Sequence, residues 1–493
     1  MSTHTAASKS VLRSRASNVS RWSISVWVGA AVYAVLLSIE AVREHHRFET
    51  FLDLAVYDQA LWLLAHGHEP FSTVISRPLL GGHFQPGIAL LTPIYWLELG
   101  VPGLLTAQSI ALALTAPALF ALARASGASP ALAAVPAFLW LACPWVASVN
   151  LFEFRPDPFA PALIVLSVLA ALQRRYVVLT VTAVLALSLK EDISLTYVML
   201  GFLMVFQGMR RVGAILAVGS AAWFVVATIV VDAQSGANEA FGRRFAGARG
   251  DSVRDALVWT VRHPIETLSD FVSDSLGGLL LLIVSTGGLA LLAPVWLLLS
   301  LPTVLHNALS AHGPQHELHF HYHLGTLTGL FVAAAIGTGR VGRLGSSGRL
   351  VVLFVMGVAL ISAVAGGRSV HQDVAKPRPA HAASAELALA RIPDGVPVSA
   401  TPSLLPHLTQ RVEIYSLPEP FVALDWGGSL TAGELAERAA RVRFVAYLER
   451  DISPSGGYSS SEDIPTIRRR LLRLGFVEIA RVGRVHVLER SSR

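Results

Sequence analysis

Cysteine and charged side chains are both scarce in this chain of 493 residues. The single cysteine, Cys143, has no second cysteine to pair with, so a fold held together by disulfides is excluded. Only 15% of the residues are charged and 53% are hydrophobic, against about 25% charged in a typical soluble domain, which excludes a soluble globular protein and a disordered chain. The formal net charge of +6 does not require nucleic acid, because basic residues in membrane proteins mainly set orientation.

Long apolar runs dominate the N-terminal three-quarters of the chain. They are roughly 14 to 24 residues long, and about 20 residues of helix cross a bilayer, so the sequence predicts a multi-spanning membrane protein. Two stretches, 176–208 and 277–311, would each extend to about 50 Å as a helix, against a hydrocarbon core of about 30 Å. Each therefore predicts a hairpin, of which the first folds at Lys190–Asp192 and the second near Pro294.

Basic residues between the apolar runs predict the orientation of the chain. The short apolar segment 84–99 is interpreted as a helix that lies at the outer surface, or re-enters from it, without crossing. With a cytoplasmic N-terminal tail (1–21), the short arginine-bearing loops then all lie in the cytoplasm, as the positive-inside rule requires. The resulting transmembrane domain is 22–368, with a first outer loop at 43–100. It contains about eleven spans: 22–42, 101–124, 129–149, 157–173, 176–190, 193–208, 212–232, 277–293, 294–311, 322–338 and 349–366.

The chain changes character after Arg368. Segments of alternating polarity, typical of strands, interleave with amphipathic segments, typical of helices, and together they predict a small α/β domain over 369–493. The predicted strands are 396–400, 412–415, 442–447 and 485–488, and the predicted helices are 383–390, 431–440 and 464–474. Because an odd number of spans follows a cytoplasmic N-terminal tail, this domain is predicted to lie outside the cytoplasm. No glycine-rich phosphate loop or catalytic triad is recognisable in it, which favours a structural or acceptor-positioning role.

The first outer loop carries two carboxylates, Asp53 and Asp58, in an aromatic and partly amphipathic segment that is predicted to lie at the membrane face. A lipid-linked substrate would present its head group there. A carboxylate in that place can act as a general base, taking the proton of an attacking hydroxyl while a phosphate leaves the sugar. The alternative is that both are helix caps or solvated surface charges, since Asp is common near helix starts.

Five motifs follow one another in an order that resembles a known family: LDLAVYDQALWLLAHG, GGHFQPGIALLTPIY, FEFRPDPFA, SLKEDISL and HFHYH. Over nearly the whole chain they resemble the bacterial membrane proteins grouped as domain of unknown function 2079 (DUF2079). That group is similar to the GT-C glycosyltransferase superfamily, whose members carry an acidic residue in the first outer loop, commonly Asp-Glu followed by Tyr. Asp53, four residues before Tyr57, matches the Asp, whereas Leu54 replaces the Glu. The resemblance implies a GT-C-like fold and a catalytic Asp53, and it leaves open whether Asp58 supplies a second acid.

The resemblance also gives expected roles to two further segments. His83 and Pro86 fall where the superfamily begins a juxtamembrane helix with a basic residue and a proline. Arg155 and Asp157, with Glu153 nearby, occupy the place of an acidic residue in the second outer loop. A guanidinium suits a phosphate because its fork donates two parallel hydrogen bonds, which predicts a substrate-binding segment. The alternative is an Arg–Asp ion pair at the entrance of a helix.

Lys190, Glu191 and Asp192 lie together at the predicted tip of the first hairpin. Ionisable residues near membrane depth are costly and tend to mark substrate paths. By the resemblance, Lys190 matches a lysine that many GT-C proteins carry after the equivalent span, which implies a phosphate contact. Ordinary interfacial charge at a turn is the alternative.

A histidine-rich segment, HGPQHELHFHYH, follows the second predicted hairpin. On a helix His316, His319 and His323 would share a face, and on a strand His319, His321 and His323 would do so. Either set would suit zinc together with Glu317, so a divalent metal is one hypothesis, although no cofactor is firmly predicted. Imidazoles that bind the donor phosphate are the favoured hypothesis, and interfacial histidines without a ligand are the third.

These observations predict a polytopic protein of the cytoplasmic membrane that transfers a sugar from a polyprenyl-phosphate donor to an unknown acceptor at the outer face. The expected partners are the lipid-linked sugar and membrane lipid, without nucleic acid. Two alternatives stay open at this point: a transporter or flippase of a lipid-linked or anionic substrate, which also needs polar residues at broken helices, and a non-catalytic envelope protein. The polar residues are predicted on one outer face, without an internal repeat, which favours the transferase.

Overall fold

Helices make up most of the computed structural model, which describes residues 3–235, 253–341, 376–422, 430–452 and 464–491, with parts of 345–361. The helices that precede residue 342 are α1 (Thr3–His46), α2 (Leu52–Ala65), α3 (Pro93–Trp96), α4 (Gly100–Ala125), α5 (Pro130–Ala142), α6 (Pro144–Phe152), α7 (Ala160–Leu172), α8 (Tyr176–Leu187), α9 (Ile193–Phe206), α10 (Arg210–Ser235), α11 (Val253–Arg262), α12 (Pro264–Asp270), α13 (Leu276–Ser285), α14 (Leu301–Ala308) and α15 (Leu324–Val341). Short 3-10 turns connect several of them.

Five helical segments in the described part of the chain are long and apolar enough to cross a membrane: Arg21–His46, Gly100–Ala125, Arg210–Ser235, Pro264–Ser285 and His321–Val341. Helices α5 and α6 are apolar enough to count as one further span if they are taken together; they are bent by 42° between them, as in a broken span or a re-entrant loop. The bend falls at Pro144, whose ring removes a backbone donor from the helix. Three further apolar helices, α7, α8 and α9, are shorter. The chain is therefore polytopic, as predicted.

The two predicted hairpins have different outcomes. The helix break predicted in the first is confirmed, because α8 ends at Leu187 and α9 begins at Ile193, with the polar triplet between them. The second hairpin was predicted to turn near Pro294, and this prediction is wrong. The chain turns at Gly287 and Gly288, whose φ angles of +62° and +71° are left-handed and end the helix. That helix begins at Pro264 rather than at 277, and after the turn the chain runs through 3-10 turns into α14. The predicted span 349–366 lies mostly outside the described residues.

The segment 84–99 contains only a 3-10 turn (Pro86–Leu91) and α3. Together they extend about 18 Å, too short to cross a bilayer. Leu90, Trp96 and Leu97 are exposed on this segment. A short, aromatic and partly exposed apolar segment agrees with the interpretation that it does not cross.

The C-terminal part of the chain forms a small α/β unit, as predicted, around a five-stranded sheet. Its strands are β3 (Val398–Ala400), β4 (Ile414–Ser416), β5 (Phe444–Leu448), β6 (Phe476–Val482) and β7 (Val485–Arg490), after a small hairpin of β1 (Phe71–Ser72) and β2 (Arg77–Pro78) in the first outer loop. The spatial order is β4-β3-β5-β7-β6, with β3 parallel to β4 and β5, and β7 antiparallel to β5 and β6. The accompanying helices are α16 (Ala380–Leu389), α17 (Ala432–Arg441) and α18 (Ile464–Arg473). The sequence prediction missed only β6.

The hydrophobic core of this C-terminal unit continues into the first outer loop. Phe48, Leu52, Ala55, Val56 and Val74 pack in one buried cluster with the inner residues of α16 and with β3, β4, β5 and β7. Two hydrogen bonds from a side chain to the backbone also join these two parts. Thr73 Oγ1 donates to the carbonyl of Ile414 (2.6 Å) and accepts from its N–H (2.9 Å). Helix α2 is thus a layer of the C-terminal unit as well as of the membrane region.

Candidate active site

Asp53 and Arg155 form an ion pair at the start of α2. Asp53 lies in the first helical turn, and Arg155 Nη2 donates a hydrogen bond to its Oδ2. Glu153 accepts a hydrogen bond from the N–H of Leu54 at 2.8 Å. The first N–H groups of a helix have no partner within the helix, and the residue before it, Phe51, offers no side-chain cap. The loop between α6 and α7 therefore caps α2 and holds both carboxylates beside the guanidinium.

Gln108, on α4, fixes the position of this loop. Its Nε2 donates to the carbonyls of Asn150 (3.1 Å) and Glu153 (3.0 Å), and its Oε1 accepts from the N–H of Arg155 (2.8 Å). All three contacts are to backbone, so one buried amide on a spanning helix holds the loop. The sequence analysis missed Gln108, although a lone amide in a long apolar run is the signal that could have identified it.

Lys190 and its neighbours extend the set of charges from the hairpin tip. Lys190 Nζ lies 3.0 Å from Asp157 Oδ1 and 3.4 Å from Asp192 Oδ2. Glu191 accepts from the ring of His83 (Nδ1, 2.8 Å) and from the N–H of Phe84 (2.9 Å). Eight of the predicted residues thus lie in one interacting group, called here the charged cluster: Asp53, His83, Glu153, Arg155, Asp157, Lys190, Glu191 and Asp192.

The carboxyl groups of the charged cluster differ in acidity because their surroundings differ. Burial, reinforced by the nearby charge of Asp53, raises the pKa of Glu153 to about 8. Burial also opposes ionisation of Glu191, but the charge and hydrogen bond of His83 outweigh it and lower the pKa of Glu191 to about 2. The cluster therefore holds a protonated carboxyl, Glu153, and an ionised one, Glu191, at neutral pH.

Asp58, the second predicted catalytic acid, lies outside the charged cluster. It is five residues after Asp53, which is about 140° around the helix. Its side chain is fully buried and accepts hydrogen bonds from the hydroxyls of Tyr95 (2.5 Å) and Thr409. Burial raises the pKa of Asp58 to about 6, against the effect of these hydrogen bonds. Asp58 therefore joins α2 to the juxtamembrane segment and to the C-terminal unit.

The three predicted histidines do not share a face. The segment forms two 3-10 turns, Gly313–His316 and His321–His323, rather than the helix or strand that the spacing suggested. His321 is buried beside Asp157 and Lys190, in the lining of a cavity of about 50 Å³. His323 faces Asn307 (3.4 Å), and His319 is half-exposed beside Glu317 (3.5 Å). His321 thus shares a small cavity with members of the charged cluster, whereas His319 lines a larger cavity together with another member, Glu153.

The zinc hypothesis gains no support from this geometry. Within the described ranges, no three His, Cys, Asp or Glu side chains are placed to hold a metal ion together.

The comparisons with known proteins agree with this architecture. The model of a family of predicted membrane proteins, DUF2079, matches residues 44–426. The chain belongs to the DUF2079 family. Two solved structures of ArnT from Cupriavidus metallidurans are similar to this DUF2079 protein: the one bound to undecaprenyl phosphate has a TM-score of 0.54 at 12% identity, and the apo form has 0.51 at 13%. Each comparison covers 94% of this chain and 98% of ArnT.

A search of curated proteins finds no match to this DUF2079 protein. At 12–13% identity, the similarity to ArnT shows the fold alone. That fold is the polytopic GT-C fold, as the sequence motifs implied.

A cavity of about 1,100 Å³ lies beside the charged cluster of this DUF2079 protein. Glu153, Phe152 and Phe51 line it from α6, the residue that follows it, and the segment before α2. Arg450 and Asp451 line it from the C-terminal unit. The sequence analysis predicted a structural or acceptor-positioning role for this unit but named no residue after 369 as part of the site.

Proposed function

We propose that this protein transfers a sugar from a polyprenyl-phosphate donor to an acceptor hydroxyl at the outer face of the cytoplasmic membrane. The observation that carries the proposal is the charged cluster, in which Arg155 pairs with the carboxylate of Asp53, and Lys190 lies 3.0 Å from Asp157, whose charge also acts on Arg155. A phosphate needs such cations, and a hydroxyl nucleophile needs such a base. The fold that carries them is shared with ArnT, which has been solved with undecaprenyl phosphate bound.

The depth of the charged cluster suits a substrate that stays in the membrane. Helices α7, α8 and α9 contain 13, 12 and 14 residues, or about 18–21 Å of helix against a hydrocarbon core of about 30 Å. Their ends away from the cluster adjoin Arg174, Arg175 and Arg210, which the positive-inside rule assigns to the cytoplasmic surface of the membrane. The cluster then lies about 20 Å from that surface, within the thickness of the bilayer. A lipid-linked donor can bring its phosphate there without leaving the membrane.

The proposed step is an inverting displacement at the anomeric carbon. The acceptor oxygen forms a bond to that carbon, and Asp53 takes the hydroxyl proton. The bond between the carbon and the phosphate oxygen breaks, and its electron pair leaves with polyprenyl phosphate, whose charge Arg155 and Lys190 neutralise. Binding of the phosphate to Arg155 competes with the Asp53–Arg155 ion pair. Asp53 is thereby released from Arg155 and can accept the hydroxyl proton when the donor is in place.

The orientation follows from the loop charges, and cysteine labelling tests it. In a Cys143→Ser background, Glu69→Cys and Ala436→Cys should react with a membrane-impermeant thiol reagent from outside, because both positions are exposed and proposed to be extracytoplasmic. Ser347→Cys, also exposed, should react only after the membrane is permeabilised. Labelling of Ser347→Cys in intact cells would overturn the outer-face assignment.

Glu153 gives the proposed reaction a pH dependence. Its pKa of about 8 means that the side chain is mainly neutral at pH 7 and ionises as the pH rises through 8. An ionised Glu153 adds a negative charge beside the donor phosphate, so the KM for the donor should rise above pH 8. In Glu153→Gln, which cannot ionise, this alkaline rise should be absent. A KM that rises equally in both proteins would assign the effect to another group.

The function itself is tested in a deletion strain by profiling lipid-linked sugars and envelope glycans. Loss of the transferase should raise one polyprenyl-phosphate-linked sugar and remove one glycan product. Complementation with the wild-type gene should reverse both changes, whereas a gene carrying Asp53→Asn should reverse neither. If both pools are unchanged by the deletion, the proposal fails. A donor that accumulates only at the cytoplasmic leaflet would also contradict it and identify a flippase.

A further inference from the structure

A second cavity, of about 580 Å³, is lined by Asp58. Since Asp58 lies about 140° around α2 from Asp53, this cavity opens on another side of the helix than the charged cluster. Its other walls are the end of α1, the segment 84–99, the start of α4 and the C-terminal unit. A molecule in this cavity would therefore contact both the membrane region and the C-terminal unit.

Arg411, in the wall from the C-terminal unit, is a buried cation without a counter-charge. Its side chain is 4% exposed, and a buried charge is costly unless an opposite charge compensates it. Nε donates to the carbonyl of Leu408, and Nη1 donates to those of Val396 (2.8 Å) and Pro393 (3.5 Å). Carbonyl dipoles orient the guanidinium but leave its charge in place, and Arg411 forms no ion pair with a described residue. Burial lowers the pKa of Arg411, and the charge of Asp394 opposes this only in part.

Nη2 of Arg411 is the part of this side chain that a ligand can reach. It has no hydrogen-bond partner in the described part of the chain, and it is not one of the polar atoms that the protein encloses completely. The cations of the charged cluster differ, because Arg155 pairs with Asp53 and Lys190 with Asp157. The structure thus leaves one buried positive charge to be met from the cavity. A phosphate group suits it, because a guanidinium binds phosphate with strong, directed hydrogen bonds.

The cavity lies where α4 enters the membrane. Residues 100–102, which begin this spanning helix, are part of its lining, together with Leu99. Next to them Trp96 and Leu97 are exposed, and a tryptophan beside aliphatic residues is typical of the interface between lipid and water. A phospholipid can therefore place its phosphate in the cavity while its acyl chains stay in the bilayer.

Glu98 and Asp394 offer a complement for a positively charged group beside that phosphate. Both residues line the cavity, both are exposed, and neither forms an ion pair with a described residue. Glu98 belongs to the segment 84–99, whereas Asp394 belongs to the C-terminal unit. A primary ammonium group has three N–H donors, so it can donate hydrogen bonds to both carboxylates.

We propose that this cavity binds the head group of a zwitterionic phospholipid with a primary ammonium, such as phosphatidylethanolamine. The phosphate binds Arg411, and the ammonium binds Glu98 and Asp394, so the positive and negative groups of ligand and protein are matched. The volume lies within the roughly 300–1,000 Å³ of small-molecule pockets. The bound lipid joins the C-terminal unit to the membrane region beside the contact between Asp58 and Thr409, and this role is independent of the sugar transfer proposed above.

Native mass spectrometry of the purified full-length protein tests this assignment. Phosphatidylethanolamine, phosphatidylcholine and phosphatidylglycerol with the same acyl chains are added in turn. Phosphatidylethanolamine should bind roughly tenfold more tightly than the other two, because choline has no N–H donor and glycerol has no positive charge. Arg411→Gln should weaken this binding by roughly tenfold or more. Arg391→Gln, the same change at an exposed arginine of the C-terminal unit outside the cavity, should leave it unchanged.

Thermal unfolding gives a second measurement. Phosphatidylethanolamine should raise the melting temperature of the wild-type protein and of Arg391→Gln, but not that of Arg411→Gln, because a ligand stabilises only the folded state that binds it.

The exposed carboxylates keep the test decisive if Arg411→Gln does not fold. Glu98→Gln should remove most of the preference for phosphatidylethanolamine over phosphatidylglycerol, whereas Glu69→Gln, at an exposed position outside the cavity, should retain it. Equal binding of the three lipids, or equal behaviour of Glu98→Gln and Glu69→Gln, would overturn the assignment. Soluble glycerophosphoethanolamine that binds as tightly as the lipid would contradict a site for a membrane lipid.

Discussion

Asp53→Asn is expected to leave the protein folded and inserted in the membrane while lowering sugar transfer by roughly 100- to 10,000-fold, the usual loss when a general base is removed. The amide keeps the shape of the side chain and can still accept a hydrogen bond from Arg155, so the loop between α6 and α7 should keep its place. What is lost is the ability to take a proton. The measurement is initial-rate transfer from a polyprenyl-phosphate sugar by purified protein, normalised to the amount of folded protein.

Asp58→Asn is the matched control for this change, because it makes the same substitution on the same helix. Asp58 lies against Tyr95 and Thr409 rather than in the charged cluster, so its loss should act on stability and not on the chemical step. We expect a lower melting temperature and transfer within about tenfold of wild type per folded molecule. Near-normal transfer in Asp53→Asn, together with loss in Asp58→Asn, would reverse the assignment of the base.

The sequence predicted the parts of the candidate site that depend on neighbouring residues. Asp53, Arg155 and Lys190 each stand out as charges beside apolar runs, and the structure brings all three into one cluster. Asp58 stands out in the same way, but helical rotation places it on another side of α2. Residue type and spacing therefore identified charged candidates, and only the packing of α2 separated the two acids.

The parts that could not be predicted depend on contacts between distant segments. The spacing of the histidines fits a helix or a strand equally well, and the 3-10 turns that the chain forms give them different surroundings. The position of the second hairpin turn was set by Gly287 and Gly288, and the proline nearby had suggested another place. The shared core of the first outer loop and the C-terminal unit joins residues more than 300 positions apart. No local sequence pattern indicates such a contact.

This shared core leads to the second large expected effect. Ala385 and Ala383 lie two residues apart on α16, but Ala385 is fully buried in the core that contains Val56 and Val74, whereas Ala383 is exposed. A carboxylate at Ala385 would be buried without a partner, which costs several kcal/mol. We expect Ala385→Asp to separate the C-terminal unit from the first outer loop, and Ala383→Asp to leave both intact.

A cysteine in the first outer loop reports this separation directly. In a Cys143→Ser background, Val74→Cys replaces a fully buried residue of the shared core and should resist an impermeant thiol reagent. Adding Ala385→Asp should speed labelling of this cysteine at least tenfold, because α2 and the β1–β2 hairpin lose the surface that covers them. Sugar transfer should fall in the same variant, because Asp53 loses its fixed position. Adding Ala383→Asp should change neither. Equal protection of the cysteine in both variants would mean that the first outer loop holds its structure without the C-terminal unit. The expected dependence of the loop on that unit would then be wrong.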